Sequence, residues 1–347
     1  MSVRKKLPAD APVFRPNKRV GARQGAITRP TCEITRIVLD EYRASHNGQL
    51  LPLEPHQIRI LNHFFTPKNG RLPYRTLVYS CPKKSGKTEI GAAVSYAWAK
   101  TYGGDIYMIA NDLDQAKDRA FNRVRDSMRH LNGQEPGRYA QEVHPDHHDL
   151  LIKNNQIKFQ NDCLIKAIPC DPYGEAGGMQ TLTVWDELWG YRHENASRLW
   201  TEMQPLPPGV GLVEESIRFV VTYAGWFGES ELLWNLYDQV CKPDEQLVEQ
   251  GIKPKGMEDL PVYAVDDICV YWDHEARMKW HTDPFLATAQ REEPRANEYL
   301  RIWENRWTTG LEPFIDMDAY DRQIKQGTEL GLFNHLNDVF PDVEVAA

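Results

Sequence analysis

Residues 76–88 read TLVYSCPKKSGKT, and this stretch decides the fold. Thr76 to Ser80 is a short apolar run bounded by polar loops, the pattern of a buried strand. Glu89 to Lys100 follows with the composition of a helix. Strand, turn and helix in this order suit a phosphate-binding loop. Backbone N–H groups at the helix start face the phosphates, a lysine reaches the β and γ oxygens, and a hydroxyl ligates magnesium. Gly86, Lys87 and Thr88 match the end of the pattern G-x-x-x-x-G-K-S/T, whereas Cys81 stands where its first glycine belongs. Lys83 and Lys84 crowd the turn beside Ser85.

The second informative stretch is TLTVWDE, residues 181–187. Five mostly apolar, β-branched residues place a strand in the core, and Asp186 and Glu187 arrive as that strand emerges at the sheet edge. In phosphoryl-transfer sites the first acid holds magnesium, and a neighbouring carboxylate can polarise the attacking water. A parallel sheet can set Lys87 beside Asp186.

Working outward, ITRIVLDEYRA from Ile34 has helical spacing, and Leu53 to Phe65 predicts an amphipathic helix with Pro55 in its first turn. Further buried strands are expected at Asp105–Ala110, Cys163–Pro169 and Ile217–Thr222, with a long helix over Leu113–Leu131 and a hairpin over Leu151–Phe159. Another helix runs to about Cys241. Strands alternating with helices predict an α/β fold with a mainly parallel central sheet flanked by helices. Three regions are expected: a basic arm over 1–30, a P-loop core over 31–260, and a small C-terminal subdomain over 261–347. In the last, VYAVDDICVYW is strand-like, and Pro284 to Trp307 reads as one or two helices. From the residues alone the reading is a magnesium-dependent P-loop NTPase.

Composition narrows the class. The 347 residues carry 41 Lys and Arg against 49 Asp and Glu, a net charge of −8, which does not suit a wholly basic nucleic-acid binder. The charge is uneven, since Arg4, Lys5, Lys6, Arg15, Lys18, Arg19, Arg23 and Arg29 face Asp10 alone in the first thirty positions. That arm can touch phosphates or an acidic partner, or simply be solvated. No apolar run reaches membrane-spanning length, and the N-terminus has no apolar signal core, so the expected compartment is the cytoplasm. Six scattered cysteines with no CxxC pair predict reduced thiols. The cluster from His144 to Asp149 has no spacing that matches a zinc site and reads as a polar loop. Most tryptophans from Trp185 to Trp234 are expected in the core, with base stacking the other possibility.

The lysine-rich phosphate loop, the apolar run ending in Asp186-Glu187 and the later strand ending in VVTYAGW resemble the large terminase subunits of tailed bacteriophages. The resemblance spans roughly residues 50–310. It implies an ATPase using ATP and Mg²⁺, with Lys87 and Thr88 as the Walker A lysine and metal-ligating hydroxyl. Lys83 or Lys84 would replace an early basic residue that is often arginine, and Ser85 and Gly86 would complete the loop. Asp186 and Glu187 correspond to the Walker B aspartate and catalytic glutamate, Gln57 to an adenine-recognising glutamine, and Thr222, with Tyr223 and Ala224, to the coupling motif. An arginine finger is implied, with Arg119, Arg123, Arg125, Arg129 and Arg138 as candidates.

Implied partners are double-stranded DNA, a portal and procapsid, a small terminase subunit and further copies of the chain in a ring, in the host cytoplasm and without a membrane. Large terminases generally continue into a nuclease domain, yet only residues 308–347 follow Trp307, with Asp316 and Asp318 close together among them. The expectation is the ATPase module alone. Two alternatives stay open: another P-loop DNA translocase or helicase-like ATPase, and a nucleotide-gated scaffold with little turnover.

Overall fold

The computed structural model describes residues 29–110, 116, 120–131, 150–152, 155–159, 163–170, 178–210, 214–241, 253–293, 295–309, 322, 325 and 326. The basic arm, the His144–Asp149 cluster and the Asp316/Asp318 pair lie outside them. The chain divides into two compact units, Met1–Thr308 and Thr309–Ala347, and the central sheet with its packed helices lies in the first.

Its centre is a nine-stranded sheet in the order β3-β4-β5-β2-β6-β7-β1-β9-β8. The strands are β1 Thr76–Ser80, β2 Asp105–Ala110, β3 Leu150–Ile152, β4 Gln156–Phe159, β5 Leu164–Pro169, β6 Gln180–Asp186, β7 Ile217–Thr222, β8 Val262–Val265 and β9 Ile268–Trp272. From β5 to β9 all neighbours are parallel, and antiparallel pairs close both edges. The α/β expectation therefore holds. Every residue of β1, β6 and β7 is buried, as continuous apolar runs covered on both faces must be.

The helices are α1 Glu33–Asp40, α2 Pro55–Phe65, α3 Lys87–Thr101, α4 Asn122–Leu131, α5 Glu194–Glu202, α6 Glu231–Val240, α7 Asp283–Glu292 and α8 Ala296–Trp303. One apolar cluster packs α1, α2, α3 and α4 against one side of the sheet, with Phe64, Phe65 and Phe219 in edge-to-face contact. A second cluster, including Trp185, Leu199, Leu233 and Trp272, packs α5 and α6 on the other side. Trp185 is fully buried as expected, while Trp189, Trp200, Trp226 and Trp234 are only partly covered.

One expectation needs correction, and one helix went unread in the sequence. The strand-like segment beyond residue 261 is not part of a separate subdomain. It forms a hairpin, turning at Asp266, whose second strand β9 pairs in parallel with β1, Ser80 opposite Trp272. The boundary between compact units falls after Thr308 instead. Helix α5 was also not foreseen, because only Ala196 and Leu199 of its nine residues are buried and the apolar period is faint. The expected helix ending at Leu131 is described over α4, and the hairpin expected over Leu151–Phe159 is present as β3 and β4.

The parallel register aligns the carboxyl ends of β1, β6, β7 and β9. Ser80 lies opposite Thr222 and Trp272, and Asp186 opposite Val221. In open parallel sheets ligands bind in the crevice beyond those ends. The candidate residues sit at this edge.

Candidate functional site

The turn after β1 bends at two left-handed residues, Lys84 (φ 65°) and Gly86 (φ 78°). A Cβ at position 86 would meet open space, so its glycine answers the backbone angle and not crowding. Cys81 is not among the left-handed residues, which explains why glycine is dispensable there. Its thiol is buried, and that burial pushes it up to about 12 against the opposing charge of Lys87. The chain then enters α3. Lys87 is buried, and its Nζ donates back to the carbonyls of Cys81 (3.1 Å) and Pro82 (3.2 Å) while lying 4.8 Å from the centroid of the Tyr223 ring. The amine is thereby held across the mouth of its own loop.

Thr88 Oγ1 donates to Asp186 Oδ1 at 3.3 Å, with Oδ2 at 3.5 Å. Asp186 is 2% exposed at the end of β6. Glu187 follows in the left-handed region (φ 58°), its N–H donating to the Val221 carbonyl at 2.8 Å. That angle turns the chain out of the strand, and Trp189 Nε1 donates to Glu187 Oε2 at 2.6 Å. The structure thus brings Thr88 and Asp186 into contact across 98 positions of sequence. A hydroxyl and a carboxylate are hard oxygen donors of the kind magnesium prefers, and that ion commonly takes its other ligands from phosphate and water. Among the described residues no group of three or more His, Cys, Asp and Glu side chains forms a metal cage.

Gln57 occupies a supporting position. It caps α2, accepting from Glu54 N–H through Oε1 (2.9 Å), and its Nε2 donates to Tyr79 Oη and to the Ser85 carbonyl, both at 3.4 Å. It is buried beneath the loop, with both ends of its amide engaged by protein. Lys83 and Lys84 point outward as exposed side chains, whereas their backbones are clamped from the far end of the unit. Lys83 N–H donates to the Ile302 carbonyl (2.7 Å), His281 Nε2 donates to the Lys83 carbonyl (3.1 Å), and Trp280 Nε1 donates to the Lys84 carbonyl (2.9 Å). Burial lowers the His281 imidazole to about 4, keeping it neutral. Ser85 is buried in the loop. Thr222 is buried too, its hydroxyl donating to the Tyr223 carbonyl at 3.0 Å.

Sequence reasoning missed two residues that organise this edge. Asn305 is completely buried; its Oδ1 accepts from Ser80 Oγ (3.1 Å) and Ala224 N–H (2.6 Å), and its Nδ2 donates to the Asp273 carbonyl (2.9 Å). One side chain thereby ties the ends of β1, β7 and β9. Its signal was an asparagine two positions beyond a helix, where a left-handed stop (φ 52°) favours that residue. Arg301 left no local signal. It is buried, bonded to Glu298 (2.6 Å) and the Ala224 carbonyl (3.3 Å), and caged by Trp189, Trp226 and Tyr223 with ring centroids at 4.3, 4.5 and 5.0 Å. Ion pair and ring faces together compensate the buried guanidinium. Of the arginines proposed as fingers, Arg123 pairs with Glu89 (2.9 Å), and Arg125 and Arg129 pair with Asp126 (3.4 and 3.3 Å). Arg119 and Arg138 lie outside the described residues.

No family model and no curated protein matches the chain. Among solved structures, it is similar to the large terminase of bacteriophage HK97, with a TM-score of 0.53 at 12% identity over 83% of this chain and 57% of that one. The large terminase of a thermophilic bacteriophage gives 0.44 at 10% identity over 74% and 54%, and the Phi-28 DNA packaging motor 0.37 at 14% over 70% and 68%. The chain therefore spans about 57% of the HK97 protein's length. At such identity the likeness bears on architecture, and the conclusion is an architectural one: this chain has a large-terminase-like α/β fold.

Proposed function

We propose that this chain is an ATPase that drives double-stranded DNA into a viral procapsid. The observation that carries the reading is the hydroxyl of Thr88 set 3.3 Å from the Asp186 carboxylate beside the buried amine of Lys87, at the carboxyl edge of a parallel sheet. The similarity to the HK97 large terminase supports it at the level of fold.

Thr88 and Asp186 would hold Mg²⁺, which neutralises charge on the phosphates of bound ATP. Lys87 leaves its two loop carbonyls to donate to the β and γ oxygens, exchanging neutral acceptors for charged ones, and charge-assisted bonds are the stronger. Gly86 and Ser85 shape the loop whose N–H groups face the phosphates, and Gln57 fixes that shape from below through the Ser85 carbonyl. Glu187 accepts a proton from, and orients, the attacking water, its carboxylate steered by the Trp189 indole. Thr222, Tyr223 and Ala224 lie between this centre and Arg301 and Asn305, so a change at the γ-phosphate position has a packed route to α8.

DNA contact would be to phosphates without base readout and hence salt-sensitive. A portal, a small terminase subunit and a ring of identical chains belong to the same proposal. The test is phosphate release from MgATP with and without double-stranded DNA. Release stimulated by DNA is expected. Absence of turnover under both conditions contradicts the proposal and favours a nucleotide-gated scaffold, and stimulation only by forked DNA favours a helicase-like enzyme.

A further inference from the structure

We propose that Trp280 is the stacking platform for the purine base of the bound nucleotide, an inference that rests on the ATPase reading above. The segment following β9 returns across the phosphate loop. Lys279 Nζ lies 3.9 Å from Glu54 Oε1 at the start of α2, Trp280 Nε1 donates to the Lys84 carbonyl at 2.9 Å, and His281 Nε2 donates to the Lys83 carbonyl at 3.1 Å. Trp280 is therefore bracketed by the loop that would hold the phosphates and by the helix that carries Gln57.

Its single polar atom is already used by the loop backbone, so the remainder of the indole offers only an apolar π face. That residue is nonetheless 43% exposed, one of six large hydrophobic side chains exposed among the described residues. A tryptophan anchored by its N–H and open on its ring meets the requirement for a rigid stacking surface, because stacking costs little when the ring is already immobilised. The occupant is constrained by covalent connection: a base joined through ribose to phosphates at residues 83–88 must lie close to the loop, and Trp280 is bonded to that loop. The Gln57 amide is already engaged by Glu54, Tyr79 and the Ser85 carbonyl, whereas the Trp280 ring is partly exposed.

The experiment measures Kd by calorimetry for MgADP and for inorganic tripolyphosphate, with wild-type protein, Trp280→Ala and Trp280→Phe. Tripolyphosphate engages the loop alone, whereas ADP engages loop and base. Trp280→Ala should weaken ADP about tenfold, within the range for one stacked base, and leave tripolyphosphate unchanged. Trp280→Phe should stay close to wild type for ADP, although phenylalanine cannot donate to Lys84. Equal weakening of both ligands by Trp280→Ala, or a phenylalanine variant as weak as the alanine one, overturns the proposal in favour of a loop-anchoring role. Unchanged ADP affinity in Trp280→Ala overturns it outright, and an accompanying loss of oligothymidylate binding would assign the ring to DNA. A wild-type protein that binds neither ligand overturns the ATPase reading itself.

Discussion

Replacing Asn305 should cost more stability than any exposed substitution in this unit. The side chain makes three hydrogen bonds in a site with no solvent access, to Ser80 Oγ, Ala224 N–H and the Asp273 carbonyl. Asn305→Ala leaves those groups buried and unpartnered, at about 1–3 kcal/mol each when no alternative exists. The Ser80 hydroxyl can rotate toward another acceptor, so the Ala224 and Asp273 groups dominate, at roughly 3 kcal/mol together. Alanine must also adopt the left-handed angle that asparagine tolerates, adding about 1 kcal/mol. The total of about 4 kcal/mol is a large part of the 5–15 kcal/mol typical of a folded domain. Asn305→Gly loses the same hydrogen bonds without the backbone strain, so it should be the more stable of the two by about 1 kcal/mol. Equilibrium urea unfolding reads both values. A loss below about 1 kcal/mol for Asn305→Ala, or a glycine variant less stable than the alanine one, would refute the assignment of Asn305 as the clasp of three strand ends.

Stability should fall as pH drops from about 6.5 to about 4. Burial lowers His56, His63 and His281 to about 4, so within this window the unfolded chain binds protons that the folded chain excludes. A urea midpoint equal at pH 7 and pH 5 would contradict this, and His281→Gln should flatten part of the slope. Asp186→Asn preserves the size of the side chain facing Thr88 but removes its charge. Phosphate release should drop at least about a hundredfold, as expected for losing several kcal/mol of charge stabilisation, and an unchanged Mg²⁺ titration would refute the metal role.

The strand–turn–helix unit over residues 76–101 was legible because its information is local: an apolar run, a glycine at a left-handed angle and a helix that starts with the loop lysine. The emergence of Asp186 and Glu187 at the edge of β6 was legible for the same reason, and the meeting of Asp186 with Thr88 followed from the parallel sheet. What local pattern does not carry is which strands become neighbours. The segment VYAVDDICVYW reads as extended, but only the tertiary pairing of β9 with β1 shows that it completes the central sheet. Gln57 was placed on the right helix, while its engagement with Ser85 depends on how α2 packs against the loop. Arg301 lies 77 positions beyond Ala224, and Trp280 lies 196 beyond Lys84; both reach the site through contacts no periodicity announces.

The most direct test of the central claim is to measure MgATP binding and phosphate release on the same preparations of wild-type protein and Glu187→Gln, with and without double-stranded DNA. Turnover by the wild type, stimulated by DNA, together with retained binding and abolished release in Glu187→Gln, is the predicted result. Equal phosphate release from the two proteins would contradict it, because the carboxylate held by Trp189 would then have no part in activating water.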